Sequence, residues 1–465
     1  MIISRVLGLL MALTAAVIST SSVHSQPLQP RPEVGEAIPF ELPATNTIML
    51  ENGLVVTFIP WGMTPTAQIL VSVRAGNIDD GMETWLADIT TALMEEGAAG
   101  RSKEETAILF ADMGGSLVTS VTHTHSNFAT YILSENAPDA IHLLADTVLR
   151  PDFSSEALSG VQQTITHDLE RNRSLPDVIA TEAFLELLYP EDHPYHRAYP
   201  TDAQINGYRV SDLRRFYRNH FGAGRTHIYV AGRFDHSAME TAIRDTFGQW
   251  TIGPADTAPD GIPAQGPTVR LIDRPGALQS TVRLIYPVSA IDQKMAPALE
   301  VFDIAIGSMI AGHNRESGYS YSPFTYISWT RDGGYWTYAD DINSPMTANA
   351  LTDVLSVIGW QRENVWDASL TRDWMASNFV MATASTNGLL DQMISRDAHD
   401  LPFDYLDTYV PRILGVDDRE VTAMAHAYLR DNRLTLVIVG DLDLIEHDIR
   451  AIPALQGANF IVTRD

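Results

Sequence analysis

The sequence predicts an α+β protein built from two homologous domains. Three observations carry this expectation. Strand signals and helix signals come in blocks rather than in strict alternation. A proline- and glycine-rich stretch, Ile252–Pro267 (IGPADTAPDGIPAQGP), divides the chain near its middle. The close of each half also repeats one register. Val210-Ser211-Asp212 leads a helix, then come Arg225, a strand, Gly232 and Asp235; Val416-Asp417-Asp418 leads a helix, then come Arg433, a strand, Gly440 and Asp443. The two copies stand 208 residues apart, with seven residues from Arg to Gly and three from Gly to Asp in both.

Taken in order, residues 1–25 read as a secretory signal. Arg5 gives a positive start, Val6–Ile18 is an apolar run too short to span a bilayer, and Val23 and Ser25 suit cleavage before Gln26. Residues 26–45 are proline-rich and aperiodic, an expected N-terminal arm. The first domain is assigned to 46–250. Thr47–Pro60 reads as a hairpin around Glu51-Asn52-Gly53, with Asn-Gly favouring a primed turn. Ala67–Ala75 is the next strand. In Trp85–Ser102 (WLADITTALMEEGAAGRS), Leu86, Ile89 and Leu93 share one helical face, and Gly97 and Gly100 stop it. A helix over Lys103–Met113 breaks at Gly114-Gly115, and Ser116–Ser134 reads as one strand with His123 and His125 on one face. Helices follow at Ala137–Leu149, Glu156–Arg173, Asp177–Leu188 and Val210–Phe221, then a strand at Thr226–Val230 and a helix at His236–Phe247.

After the linker, assigned to 251–267, the second domain occupies 268–465. Strands are expected near Val269–Ile272 and Ser280–Tyr286, then a helix at Met295–Met309. Gly333-Gly334 opens a strand as Gly114-Gly115 does, and helices follow at Thr347–Gln361 and Ser369–Ala384.

Composition bounds the function. Thirty-one Lys+Arg against 58 Asp+Glu give a net charge of −27, which repels nucleic acid and anionic membranes. The absence of cysteine excludes disulfides, thiol catalysis and lipidation through cysteine. No window beyond the signal holds 18 uninterrupted apolar residues, so no membrane anchor is expected after signal cleavage. The home this predicts is the periplasm of a Gram-negative bacterium. G-x-G-x-x-G, the P-loop and G-x-S-x-G are absent.

Trp85–Ser102 resembles the zinc helix of the insulinase/pitrilysin peptidases, G-L-A-H-x-x-E-H-M-L-x-x-G-T. Leu86-Ala87 and Gly97 match; the first histidine falls on Asp88, the glutamate on Thr91 and the second histidine on Ala92. In H-x-x-E-H, two imidazoles one turn apart grip zinc and the glutamate activates its water. Both imidazoles and the base are replaced here. The family's further zinc-binding glutamate, about 76 residues on, falls on Asp168, in VQQTITHDLERN before Pro176-Asp177. The resemblance identifies a degenerate family member without its own zinc. It implies two homologous α/β-sandwich domains, of the LuxS/processing-peptidase metalloenzyme type, facing a central cleft.

In the second domain, HNRESGYSYS (His313–Ser322) resembles the family's R-E-x-x-G-x-x-Y segment, whose arginine and tyrosine hold the substrate. Arg315 and Tyr321 are the matching positions and Tyr319 is the rival. The spacing is one residue short and the usual preceding S-R-L is missing. The competing structural reading is an arginine at a helix end beside a Gly-Tyr turn.

The function this implies is a zinc-less, non-catalytic subunit of a periplasmic peptidase. It would pair with an active chain that carries the zinc and contribute residues for binding a peptide or unfolded protein. Extended peptide could also add to the strand within Ser116–Ser134, where Asn127 offers a polar contact. Two alternatives stay open. One is a scaffold, or a peptide-binding or chaperone module, without a peptidase partner. The other is an active metallopeptidase with ligands improvised from His123, His125 and Asp168.

Overall fold

We describe the fold from a computed structural model that describes residues 41–256, 266–289, 294–330 and 333–464. The expected signal segment, the arm up to residue 40 and the centre of the linker lie outside the described residues.

The first half contains β1 (Asn46–Met49), β2 (Val55–Pro60), β3 (Thr66–Val73), α1 (Leu86–Glu96), α2 (Lys103–Asp112), β4 (Leu117–Val121), β5 (Ser126–Leu133), α3 (Ala137–Leu149), α4 (Ser155–Asn172), α5 (Pro176–Leu188), α6 (Val210–His220), β6 (Thr226–Gly232) and α7 (His236–Phe247). Its sheet runs β1-β2-β6-β3-β5-β4. The opening hairpin is present, but its turn is not the primed type. Gly53 N–H donates to the Leu50 carbonyl at 3.0 Å, and of Asn52 and Gly53 only Gly53 has positive φ (87°). This is an ordinary turn followed by a left-handed glycine, the three-residue-loop solution. Ser102 caps α2, accepting from Glu105 N–H while the Glu105 carboxylate accepts from Ser102 N–H.

The single strand expected over Ser116–Ser134 is instead the hairpin β4–β5, turning at 122–125. The alternation of small and β-branched residues runs unbroken through the turn, so periodicity alone hides it. His123 and His125 therefore sit in a turn and do not share a strand face.

The second half contains β7 (Thr268–Asp273), β8 (Gln279–Val288), α8 (Ala296–Glu316), β9 (Phe324–Thr330), β10 (Gly333–Asn343), α9 (Thr347–Glu363), α10 (Ser369–Thr383), α11 (Thr386–Ala398), α12 (Asp418–Tyr428), β11 (Thr435–Gly440), α13 (Leu442–Arg450) and β12 (Asn459–Thr463). Its sheet runs β9-β10-β8-β11-β7-β12. Read from the other edge, five consecutive strands repeat the first sheet. In each, the last strand of the unit inserts between the first two, parallel to one and antiparallel to the other. The outermost strands, β1 and β12, come from opposite ends of the chain. One detail of the repeat differs: Asp235 caps α7, but the cap of α13 is Asp441, with Asp443 inside the helix.

Each sheet buries one face under its own helices. Val56, Phe58, Ile69, Val71, Ile228 and Val230 lie in the first core; Leu271, Leu284, Trp336, Tyr338, Leu436 and Ile438 lie in the second. The other faces are covered crosswise. Helix α5 of the first half packs on β8 and β11, placing Ala180, Phe184 and Leu188 against Ile285, Tyr335, Val437 and Val439. Helix α11 of the second half packs on β6. Helix α5 has apolar residues on more than one side because it lies between layers. Residues Leu42–Asp465 thus form one compact unit.

Candidate functional site

Helix α1 carries Asp88, Thr91 and Ala92, the positions that the resemblance sets against the H-x-x-E-H ligands. Its entry is built without a conventional cap: Trp85 is left-handed (φ 63°), and the Asp80 carboxylate accepts from Trp85 N–H at 2.9 Å and Ala87 N–H at 2.8 Å. Asn77 Nδ2 bridges Asp80 (3.2 Å) and Asp88 (2.6 Å). Burial raises both carboxyls, Asp80 the further. Thr91 Oγ1 donates to Ser126 Oγ at 3.1 Å, and Ser126 Oγ donates to the Ala75 carbonyl at 2.6 Å. Ala92 packs against the core. Asp168, on α4, pairs with Arg171 of its own helix at 2.9 Å and is half exposed. Asp88, Thr91, Ala92 and Asp168 therefore offer two carboxylates already engaged, one engaged hydroxyl and no imidazole. That donor chemistry does not fit catalytic zinc. No group of three or more His, Asp or Glu able to hold a metal occurs among the described residues.

The two turn histidines diverge. His123 meets Tyr195 edge-on with ring centroids 5.0 Å apart, and Tyr195 OH donates to the His123 carbonyl at 3.2 Å. His125 is buried, with Nδ1 2.8 Å from Thr124 Oγ1, and turns toward the interface between the halves.

Arg315 lies in the last turn of α8. Its side chain is exposed, with no hydrogen bond or ion pair among the described residues, and Tyr321 is 85 % exposed. The segment between them is pinned by buried Asn314, whose Nδ2 donates to Tyr338 OH and Asp340, and by Ser320, which donates to Asp340 at 2.7 Å. Tyr319 OH donates to Asp353 at 3.0 Å, and His313 Nε2 contacts the same oxygen at 2.8 Å. Tyr319 is thus engaged locally, whereas Arg315 and Tyr321 are open to a ligand. Ser317 also approaches His313 through Nε2, so Ser317, His313 and Asp353 do not form a nucleophilic relay, which needs both ring nitrogens.

A polar cavity of about 410 Å³, lined partly by Arg74, His125, Arg225, His227, Asp256 and Asp397, lies between the halves. The sequence gives no sign of it, since its residues come from the end of β3, the β4–β5 turn, the start of β6, the linker and the end of α11. Asp397 receives Tyr229 OH, His227 Nδ1 and two nitrogens of Arg396 at 2.7 and 2.9 Å. Burial opposes its ionisation. The hydrogen bond from His227, the Arg396 charge and the Tyr229 hydroxyl outweigh burial and hold its carboxyl well below the usual range. Burial lowers the His227 pKa against the opposing pull of Asp397, and Thr57 Oγ1 lies 2.8 Å from the other ring nitrogen. Arg74 Nη2 donates to the Asp397 carbonyl at 2.5 Å and pairs with Asp400 at 2.6 Å. Arg225 pairs with Asp79 at 2.9 Å and Asp256 at 3.3 Å. Every carboxylate named here meets a cation or a hydroxyl, so the cluster joins the halves.

Comparison with known proteins agrees with this architecture. Residues 61–200 match the family model for insulinase (peptidase family M16), and 209–372 match that for the peptidase M16 inactive domain. The chain belongs to the insulinase family of peptidases. It is 21% identical over 209 residues to an uncharacterized zinc protease of Rickettsia felis, covering 45% of this chain and 51% of that one. The chain thus spans about half the length of such curated relatives. A peptidase M16 inactive domain from Pseudomonas fluorescens superposes with a TM-score of 0.79 at 20% identity, covering 85% of this chain and 98% of that one. The periplasmic protease PqqL from Escherichia coli gives 0.72 at 13% identity, covering 93% and 50%. These likenesses establish the fold. No helix among the described residues is long and apolar enough to cross a membrane.

Proposed function

We propose that this chain is the zinc-less subunit of a periplasmic insulinase-family peptidase, exported by residues 1–25 and paired with a chain that carries H-x-x-E-H. The observation that carries the reading is the fate of Asp88, Thr91 and Ala92. All three are built into hydrogen bonds or packing, while the family fold around them is intact. The domains run 46–250 and 268–465, with 251–267 between them. Zinc belongs to the partner and would polarise the scissile carbonyl and supply the attacking water there. This chain contributes Arg315 and Tyr321 as groups that hold substrate. It also offers β4, the edge strand packed beside α1, to an extended peptide. A periplasmic protease with the same fold supports the location.

The test uses purified mature protein, alone and mixed with a zinc-bearing family chain from the same organism. Cleavage of a quenched fluorescent peptide and bound zinc are measured together. The expected result is neither zinc nor cleavage alone, cleavage that rises on mixing, and a loss of that rise in Arg315→Ala. Near-stoichiometric zinc with chelator-sensitive cleavage by the lone chain would overturn the proposal.

A further inference from the structure

Helix α10 carries an apolar stripe that nothing in the described structure covers. Leu370 (83 % exposed), Trp374 (55 %) and Met381 (69 %) follow one another at four- and seven-residue steps, so they share a face. The opposite face, with Met375, Ala376, Phe379 and Thr383, is buried. The stripe runs on into the first half. At the C-terminal end of α10, Trp61 Nε1 donates to the Ala384 carbonyl at 3.2 Å, bringing Trp61 (36 %) and its loop neighbour Met63 (92 %) alongside.

Taking large side chains at about 150–250 Å² each, these five expose on the order of 700 Å². That exceeds the roughly 300–600 Å² of the largest apolar patch on an ordinary monomer. It approaches the roughly 800 Å² that each partner buries in a stable complex.

The charges beside the stripe identify what would cover it. Asp373 on α10 itself and Asp367 just before it are exposed and make no ion pair among the described residues. The same holds for Glu363 at the end of α9 and Asp391 on α11, the helices that precede and follow α10, whereas Arg362 and Arg372 are neutralised by Asp431 and Asp418. The surface is therefore apolar in the middle and acidic at the rim. A second copy would bring the same acidic rim and a net charge of −27 against itself. We propose that the stripe Leu370–Trp374–Met381, extended by Trp61 and Met63, is the docking surface for the zinc-bearing chain. That chain would present an apolar groove bordered by lysine and arginine. The proposal rests on the paired-subunit reading above and names the face through which pairing occurs. Because the stripe draws on both halves, a chain seated there holds them in one orientation.

The experiment measures binding of the zinc-bearing family chain by titration calorimetry, with light scattering for stoichiometry. Wild type, Trp374→Asp, the milder Trp374→Ala/Met381→Ala and the remote surface control Leu444→Asp are compared, each with its circular dichroism and melting temperature. The expected result is a 1:1 complex whose Kd weakens at least 30-fold in Trp374→Asp and about tenfold or more in the alanine pair. Folding should be unaltered and Leu444→Asp should bind like wild type. Raising salt should weaken wild-type binding. Unchanged Kd in both stripe variants would overturn the docking surface and leave the paired reading standing. Absence of binding by wild type would overturn the paired reading itself. A wild-type homodimer that Trp374→Asp dissociates would overturn the choice of occupant.

Discussion

Replacing Asp397 with alanine tests how the halves are joined. The substitution removes the acceptor shared by His227, Tyr229 and Arg396, leaving a guanidinium, a phenol and an imidazole facing one another in a site where the Asp397 side chain is only 18 % exposed. Removing one member of a fully buried ion pair costs about 3–5 kcal/mol. Water can enter this cavity, so about 2–4 kcal/mol is expected. Asp397→Asn keeps one acceptor and loses the charge; it should cost about 1–2 kcal/mol, the difference between charged and neutral hydrogen bonds. The pH dependence has a definite sign. The folded carboxyl is held well below its unfolded value near 3.9, so its contribution is complete above about pH 4 and falls away as pH drops toward the folded value. The assay is urea unfolding of wild type and both variants between pH 7 and pH 3, followed by tryptophan fluorescence and far-ultraviolet circular dichroism. A variant-to-wild-type gap under about 0.5 kcal/mol at pH 7 would refute the argument. So would a gap that does not narrow below pH 4.

Three further outcomes follow from the packing. Burial pushes the Glu300 carboxyl up to about 7, although Tyr409 OH donates to it at 3.0 Å. Wild type should therefore lose stability between about pH 4 and pH 7 relative to Glu300→Gln, by about 1–3 kcal/mol, read from unfolding midpoints across that range. Asp80→Ala strips two backbone N–H groups at the start of α1 of their acceptor and should cost about 1–2 kcal/mol in the same unfolding assay. Thr91→Ala should cost about 1 kcal/mol through the lost Ser126 bond while leaving peptide cleavage by the mixed chains unchanged; a fall in cleavage at full stability would give Thr91 a role in chemistry.

Much of the fold was legible because local signals agree with tertiary demands. Leu86, Ile89 and Leu93 outline α1, and Asp235 opens α7 where its side chain caps. Misses have physical causes. Strand β9 has no counterpart in the sequence reading, which opens a strand only at Gly333-Gly334; the alternation Thr325-Ile327-Trp329 is the signal for it. Helix α11 begins Thr-Asn-Gly, poor helix formers, and is held by the Ser385 cap and by packing on β6. The positions set against the family's H-x-x-E-H, Asp88, Thr91 and Ala92, fall within five consecutive residues, so a sequence pattern alone can propose them. Asp80, six residues before the first residue of the helix it caps, was not legible. The Asp397 cluster was out of reach: Arg74, His227 and Asp397 meet only after both sheets and the crossing helix are in place.

The crossed helices have a consequence for how the chain can be divided. Without α5, the second sheet would present Ile285, Tyr335, Val437 and Val439 to water; without the second half, α5 would present Phe184 and Leu188. Each half is therefore an incomplete globule whose missing layer is borrowed from the other. Expressed singly, either half is expected to aggregate. A chain severed once between residues 256 and 266 is expected to migrate as one particle, its pieces complementing each other as two fragments of a single folding unit.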